Sequence, residues 1–335
     1  MANMTESENL LDLITGYWVA QAIHAAAKLG IADLLGDGPR AVAELARATG
    51  SDEEALYRLL RALAGRGLFR EGPGRTFGLT PLAELLREDH PLSLRPLSVM
   101  FGDLQYHPWG DLLYSIETGR CAYERRAGEP FFDSLTKDPA AARTFSRAMT
   151  SFLQSIPASV VEVYDFSGYE RIVDVGSAHG TLMAAVLKAN PSPRGVLFDL
   201  PHVVDGARQP LAAAGLAGRC DFVGGDFLSA VPRGGDLYIL STILHDWDDE
   251  RSVQILQNCR EAMTPRGKLI LVEMVIGEGN EPFFGKWLDL HMLVMHGGRD
   301  RTAAQYECLL RAGGFRLERI LPTGFLRSVL EAAPL

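Results

Sequence analysis

Arg171 to Gly180 reads R-I-V-D-V-G-S-A-H-G, and the fold class follows from how this stretch is read. Ile172, Val173 and Val175 are apolar and β-branched, which suits a strand buried on both faces. Asp174, Gly176 and Gly180 mark where the chain leaves that strand, and Thr181 to Lys188 is built mostly from good helix formers. Strand, tight small-residue turn and helix together form the opening unit of a nucleotide-binding α/β domain. Glycine belongs in such a turn because a ligand approaches the backbone and φ turns positive. The spacing is neither G-x-G-x-x-G nor a P-loop, since no G-K-[ST] follows.

Three more apolar runs predict the next strands. Gly195 to Pro201 ends in Asp199, and an acid roughly 20 to 25 residues after the turn is placed for ribose hydroxyls. Phe222 to Phe227 ends in Asp226 and Phe227, an acceptor beside an aromatic ring, which suits adenine. Tyr238 to Ser241 runs into Leu244-His-Asp-Trp-Asp-Asp249. Each strand end thus carries a polar or aromatic residue on the side where open α/β sheets bind ligands. A fifth strand is expected over Gly267 to Glu273 and a closing hairpin over Phe315 to Leu321 and Leu326 to Ala332.

The turn resembles the D-x-G-x-G-x-G turn of S-adenosylmethionine (SAM) methyltransferases, with Ala178 at the middle glycine. With F-D-L-P, G-D-F, L-H-D-W-D-D and G-G-R-D-R-T, the chain from Tyr17 to Ala332 resembles the small-molecule O-methyltransferase family. The resemblance implies a Rossmann-like class I methyltransferase sheet with helices on both faces, preceded by a winged-helix dimerisation domain. It implies SAM contacts at Asp174, Gly176, Gly180, Asp199, Leu200, Asp226, Phe227, Ser241 and Trp247. It also implies that His245 is the general base.

The expected domains are 1–100 for dimerisation, 101–168 as a helical connector forming part of the acceptor pocket, and 169–335 for SAM binding and catalysis. In the first, Leu10 to Leu35 is apolar at helical spacing, and helices over Ala41 to Thr49 and Asp52 to Gly65 precede a two-stranded wing around Gly72-Pro-Gly74. The second of those helices mixes Glu53, Glu54, Arg58 and Arg61 rather than presenting a basic face. With a net charge of −9 over 335 residues, nucleic acid and anionic membrane are disfavoured as partners. The expected partners are a small-molecule acceptor and a second copy of the chain. A SAM-sensing DNA-binding regulator remains an alternative class, motivated by Ser177 and Ala178. Four scattered cysteines without a C-x-x-C pair, no leader and no apolar run of about 18 residues fit a cytoplasmic protein.

Two residues redirect the chemistry. His296 in M-L-V-M-H-G-G and Arg126 in Y-E-R-R-A-G-E stand where the family more often has other types. With His245 and Asp246, His296 makes a two-histidine, one-carboxylate set suited to a first-row divalent metal, Fe(II) or Zn(II). Arg126 is then a forked clamp for an acceptor carboxylate. The favoured expectation is metal-assisted C-methylation of a 2-oxo acid beside its keto group. The alternative is O-methylation of a phenolic hydroxyl with His245 as base. His179 reads as packing, His291 as pointing elsewhere on the helix, and Asp248, Asp249 and Glu250 as helix-start acids. Glu273 and Glu307 are carboxylates available to steer His245.

Overall fold

The computed structural model describes residues 5–324 and 326–335 and resolves into two compact units, one of residues up to Gly110 with Phe132–Gln154, the other of Asp111–Phe131 with Ser155–Leu335. The stretch 101–168 is therefore shared between the units rather than grouped as one connector.

In the N-terminal unit the apolar run from Leu10 is broken into helices Glu6–Ile14, Gly16–Lys28 and Ile31–Leu34. Thr15 ends the first, its hydroxyl bonding back to the Leu11 carbonyl ahead of Gly16, a weak helix former. Helix Glu6–Ile14 begins with a Thr5–Glu8 capping box and buries no residue; Leu13 is 77% exposed. Helices Val42–Thr49 and Glu53–Gly65 pack Leu45, Leu60 and Leu63 against Phe77 of the strand pair Phe69–Gly72 and Thr76–Leu79. Arg40–Ala41 adds a third, two-residue strand. Tyr17, Leu82, Leu94, Leu97, Phe101 and Trp109 are among the residues lining an apolar cavity of about 520 Å³ in this unit.

Among the described residues the main sheet of the C-terminal unit has seven strands, β1 Arg171–Val175, β2 Arg194–Asp199, β3 Cys220–Gly224, β4 Leu237–Ser241, β5 Lys268–Glu273, β6 Phe315–Pro322 and β7 Ser328–Pro334, and Val275–Ile276 pairs separately with Arg301–Thr302. The order in the main sheet is β6-β7-β5-β4-β1-β2-β3. The first five are parallel, and β7 returns antiparallel beside β5. The parallel strands read as continuous apolar runs because helices cover both faces; Val173, Val175, Ile239, Leu240 and Ile270 are fully buried. The chain winds outward in both directions from the β1/β4 pair, so the crevice of a doubly wound sheet opens beyond Val175 and Ser241. Register places Val175 opposite both Phe198 and Leu240, and Asp199 opposite Gly224, so four strand ends finish level. Among the described residues no helix is long and apolar enough to cross a membrane.

Candidate active site

The turn after β1 has the backbone its residue types require. Gly176 and Gly180 take φ of 74° and 72°, and Ala178, at the middle position, is held at 46° despite its Cβ. A Cβ on Gly176 would lie 2.3 Å from the Ile243 side chain, so the turn and the β4 exit are mutually fitted. Asp199 Oδ2 accepts from the Ala178 N–H at 2.8 Å, and Oδ1 accepts from its neighbour Leu200 at 2.7 Å. A carboxylate has about four lone-pair sites, so two remain for ribose hydroxyls. Buried Ser177 Oγ has no hydrogen-bond partner among the described residues. Burial and the nearby Asp199 charge push Asp174 up to about 7, so it is partly a proton donor at neutral pH.

Along the same edge, Asp226 lies two residues past the end of β3 and Ser241 closes β4. Phe227 meets Trp247 edge to face at 5.9 Å. Leu200 stays 46% exposed beside Asp199, an apolar surface left open where the sheet ends. These side chains offer what a nucleoside needs: carboxylates for hydroxyls and an amino group, and apolar faces for a base.

Beyond β4 the chain enters a strained turn. Thr242, β-branched, adopts φ 58°, a sparsely populated region for such a residue. The turn is held from β5 by Glu273, which is fully buried. Its Oε1 accepts the N–H groups of Ile243 and Leu244 at 2.9 and 2.8 Å. Its Oε2 stands 3.1 Å from His245 Nδ1. Asp300 Oδ1 lies 3.8 Å from the same nitrogen, and Asp246 Oδ1 lies 3.4 Å from Nε2. Burial alone would lower the His245 pKa, but Asp246, Glu273 and Asp300 together overturn that and push it up to about 9. Burial raises Glu273, yet His245 and the backbone donors hold it below the ordinary range; Asp300 is pushed up by burial to about 7. Carboxylates thus face both ring nitrogens, and the imidazole holds its proton more firmly than a free one.

A family model described as the O-methyltransferase domain matches residues 109–316, and one described as the O-methyltransferase dimerisation domain matches 11–89. The chain belongs to the O-methyltransferase family. It is 50% identical over 329 residues, 98% of this chain and 96% of the other, to the phenazine O-methyltransferase PhzM of Lysobacter antibioticus. The crystal structure of LaPhzM superposes with a TM-score of 0.93 at 49% identity, covering 99% of this chain and 100% of that one. The O-methyltransferase NcsB1 from neocarzinostatin biosynthesis, solved with SAM and 2-hydroxy-5-methyl naphthoic acid, gives a TM-score of 0.84 at 33% identity with both chains fully covered. This O-methyltransferase is accordingly a SAM-dependent methyltransferase of secondary metabolism carrying a dimerisation domain.

The expected metal set does not assemble in this O-methyltransferase. Among the described residues, the one group of three His, Cys, Asp or Glu with ligand atoms all within 4.8 Å is His245, Glu273 and Asp300. His296 is not in it. It caps the C-terminus of helix Phe284–Met295 and packs edge-on against the Phe131 ring at 5.1 Å. Burial, with the charges of His291 and His245, pushes it down to about 3, while burial takes His291 to about 4. In that group Glu273 faces His245 with Oε2, while its Oε1 accepts two backbone donors. Arg126 sits in the last turn of helix Ala122–Ala127, 52% exposed at its side chain and ion-paired with Asp111 at 3.2 Å. A charge in the last turn of a short surface helix finds solvent and a neighbouring acid more cheaply than burial.

The remaining acids have structural partners. Asp248 caps helix Asp249–Ala262, and Asp249 is ion-paired with Arg299 and Arg301 rather than free at the helix start. Glu307 is an exposed partner of Arg311 at 3.4 Å. His179 is exposed within the turn. Asp300, unassigned by sequence reasoning, is the third carboxylate of the site; its signal was G-G-R-D-R-T, read as a family marker without a role for its acid.

Proposed function

We propose that this chain, as a homodimer, transfers a methyl group from SAM to a phenolic hydroxyl of an aromatic secondary metabolite, with His245 as general base. The observation that carries the reading is the His245–Glu273 contact at 3.1 Å within a ring of three carboxylates. A phenol releases its proton near pH 10, and an imidazole pushed up to about 9 retains that proton once it is transferred; only the deprotonated ring accepts it, so turnover should rise with pH toward 9. SAM, when bound, supplies a methyl already activated on a sulfonium. The protein has to hold the acceptor oxygen in line and take its proton at His245 Nε2. Glu273 keeps the Nδ1 side oriented and stabilises the imidazolium, as an acid behind a catalytic histidine does.

Gly176, Asp199, Asp226, Phe227, Ser241 and Trp247 are the proposed cofactor side. Metal-assisted C-methylation loses both of its supports, because Arg126 is a surface ion pair and His296 is a helix cap. The relatives, a phenazine O-methyltransferase and an O-methyltransferase solved with a hydroxynaphthoic acid, favour oxygen as the acceptor atom. The exposed apolar side chains of helix Glu6–Ile14 support the homodimer, since a lone surface helix gains nothing from leaving Leu10, Leu11, Leu13 and Ile14 in water. The experiment is an assay of purified enzyme with SAM and a panel of hydroxyphenazines and hydroxynaphthoates, before and after chelation. O-methyl products unaffected by chelator support the proposal; methylation at carbon, or loss of activity on chelation, rejects it.

A further inference from the structure

Arg301 is 1% exposed, the bulkiest of the fully buried side chains among the described residues. A guanidinium survives such burial only when its donors are met and its charge is paired. Here nearly every donor goes to one turn. Nη1 donates to the Leu244 carbonyl at 2.8 Å, and Nη2 donates to the Trp247 carbonyl at 2.9 Å. Nε and Nη2 both reach Asp249 Oδ1, at 3.1 and 2.8 Å. Leu244 and Trp247 are the residues immediately before and after His245-Asp246. The neighbouring Arg299 N–H donates to the His245 carbonyl itself at 2.8 Å, and its guanidinium pairs with the other Asp249 oxygen. Trp247 carries the ring that meets Phe227.

We propose that Arg301 is a positioning residue shared by the base and the cofactor edge: one planar fork fixes the carbonyls on both sides of His245 and so sets the His245 imidazole and the Trp247 ring together. Lysine cannot replace it, because a single ammonium cannot hold two carbonyls and a carboxylate in one plane. Asp249, whose side chain is 56% exposed, anchors the fork from the solvent side and can be altered without opening the core. The inference rests on the proposed roles of His245 and Trp247, but its test needs no acceptor, so a wrong acceptor class leaves it standing.

The test compares Arg301→Lys and Asp249→Asn with the parent chain in two acceptor-free measurements. One is calorimetric affinity for S-adenosylhomocysteine. The other is the His245 Nδ1–H resonance in protein labelled with ¹⁵N-histidine, assigned with His245→Gln. Arg301→Lys is expected to weaken the affinity on the order of tenfold and to shift or broaden the resonance, with Asp249→Asn moving both in the same direction to a lesser degree. Should Arg301→Lys fail to fold, Asp249→Asn decides alone. Variants that only melt earlier, with affinity and resonance unchanged, overturn the proposal, and so does a response at one of the two sites without the other.

Discussion

Glu273 divides its two oxygens between the backbone of the turn after β4 and the ring of His245: Oε1 accepts from Ile243 and Leu244, and Oε2 lies 3.1 Å from His245 Nδ1. One carboxylate therefore both shapes the turn and tunes the imidazole. Glu273→Gln keeps an oxygen for the two backbone donors and removes the charge. It is expected to fold, to lower the His245 pKa, and to shift the acid limb of kcat/KM to lower pH while reducing kcat at least about tenfold. An unchanged pH profile would show that Glu273 serves the backbone alone.

The raised pKa also has a thermodynamic consequence. His245 moves from 6.5 to about 9, so the folded state holds its proton more tightly than the unfolded chain does. The stability this contributes is complete below about pH 6.5 and is lost as pH rises through about 9. Asp300, raised to about 7, acts over a lower window, between about 3.8 and 7. Urea unfolding between pH 6.5 and 9 should show stability falling by about 1 kcal/mol per pH unit, and His245→Gln should flatten that fall. Parallel slopes in the two proteins would contradict the assignment.

Gly298 is required by a close backbone approach. A Cβ there would lie 2.1 Å from the His245 carbonyl oxygen and 2.9 Å from the Asp246 carbonyl carbon. Neither neighbour is a flexible side-chain end. Gly298→Ala is expected to lower stability by about 1–3 kcal/mol and to remove most of kcat by displacing His245. Thermal unfolding with a steady-state assay checks this; an active, unshifted variant would refute it. Gly297→Ala, where a Cβ meets nothing within 4 Å, suffers only the strain of φ 71° and serves as the comparison.

Asp199 is the residue on which cofactor affinity should depend most. Removing a charged acceptor of ribose hydroxyls costs about 1.5–3 kcal/mol, or roughly 10- to 150-fold in the SAM dissociation constant. Asp199→Asn retains one oxygen for the Ala178 or Leu200 N–H and should fold normally. Calorimetry showing wild-type affinity in that variant would move the cofactor away from this edge.

The sheet was legible because its strands are buried on both faces and so appear as uninterrupted apolar runs, and the acids at 199 and 226 stand out against them. The catalytic surroundings were less so. Asp300 reaches His245 only because the chain reverses at Gly297, where φ is 71°, and presses Gly298 against the His245 carbonyl. No periodicity encodes that reversal. His296 and Arg126 were read by residue type, and type does not tell a helix cap from a ligand or a surface ion pair from a clamp. Arg301 is not legible for the opposite reason: arginines mostly lie at the surface, and only its six hydrogen bonds show why this one does not. The long N-terminal helix was expected from apolar spacing that continues through Thr15, whereas the backbone turns at Thr15-Gly16.

The central claim is that His245 takes the proton from an acceptor oxygen. It is tested most directly by comparing wild type with His245→Gln under saturating SAM and a phenolic acceptor, with methyl position read by NMR and SAM affinity measured alongside. The account predicts O-methylated product, a loss of about 10²- to 10⁴-fold in kcat for the variant, and unchanged SAM affinity. Near-wild-type turnover in His245→Gln, or a methyl group attached to carbon, would contradict it.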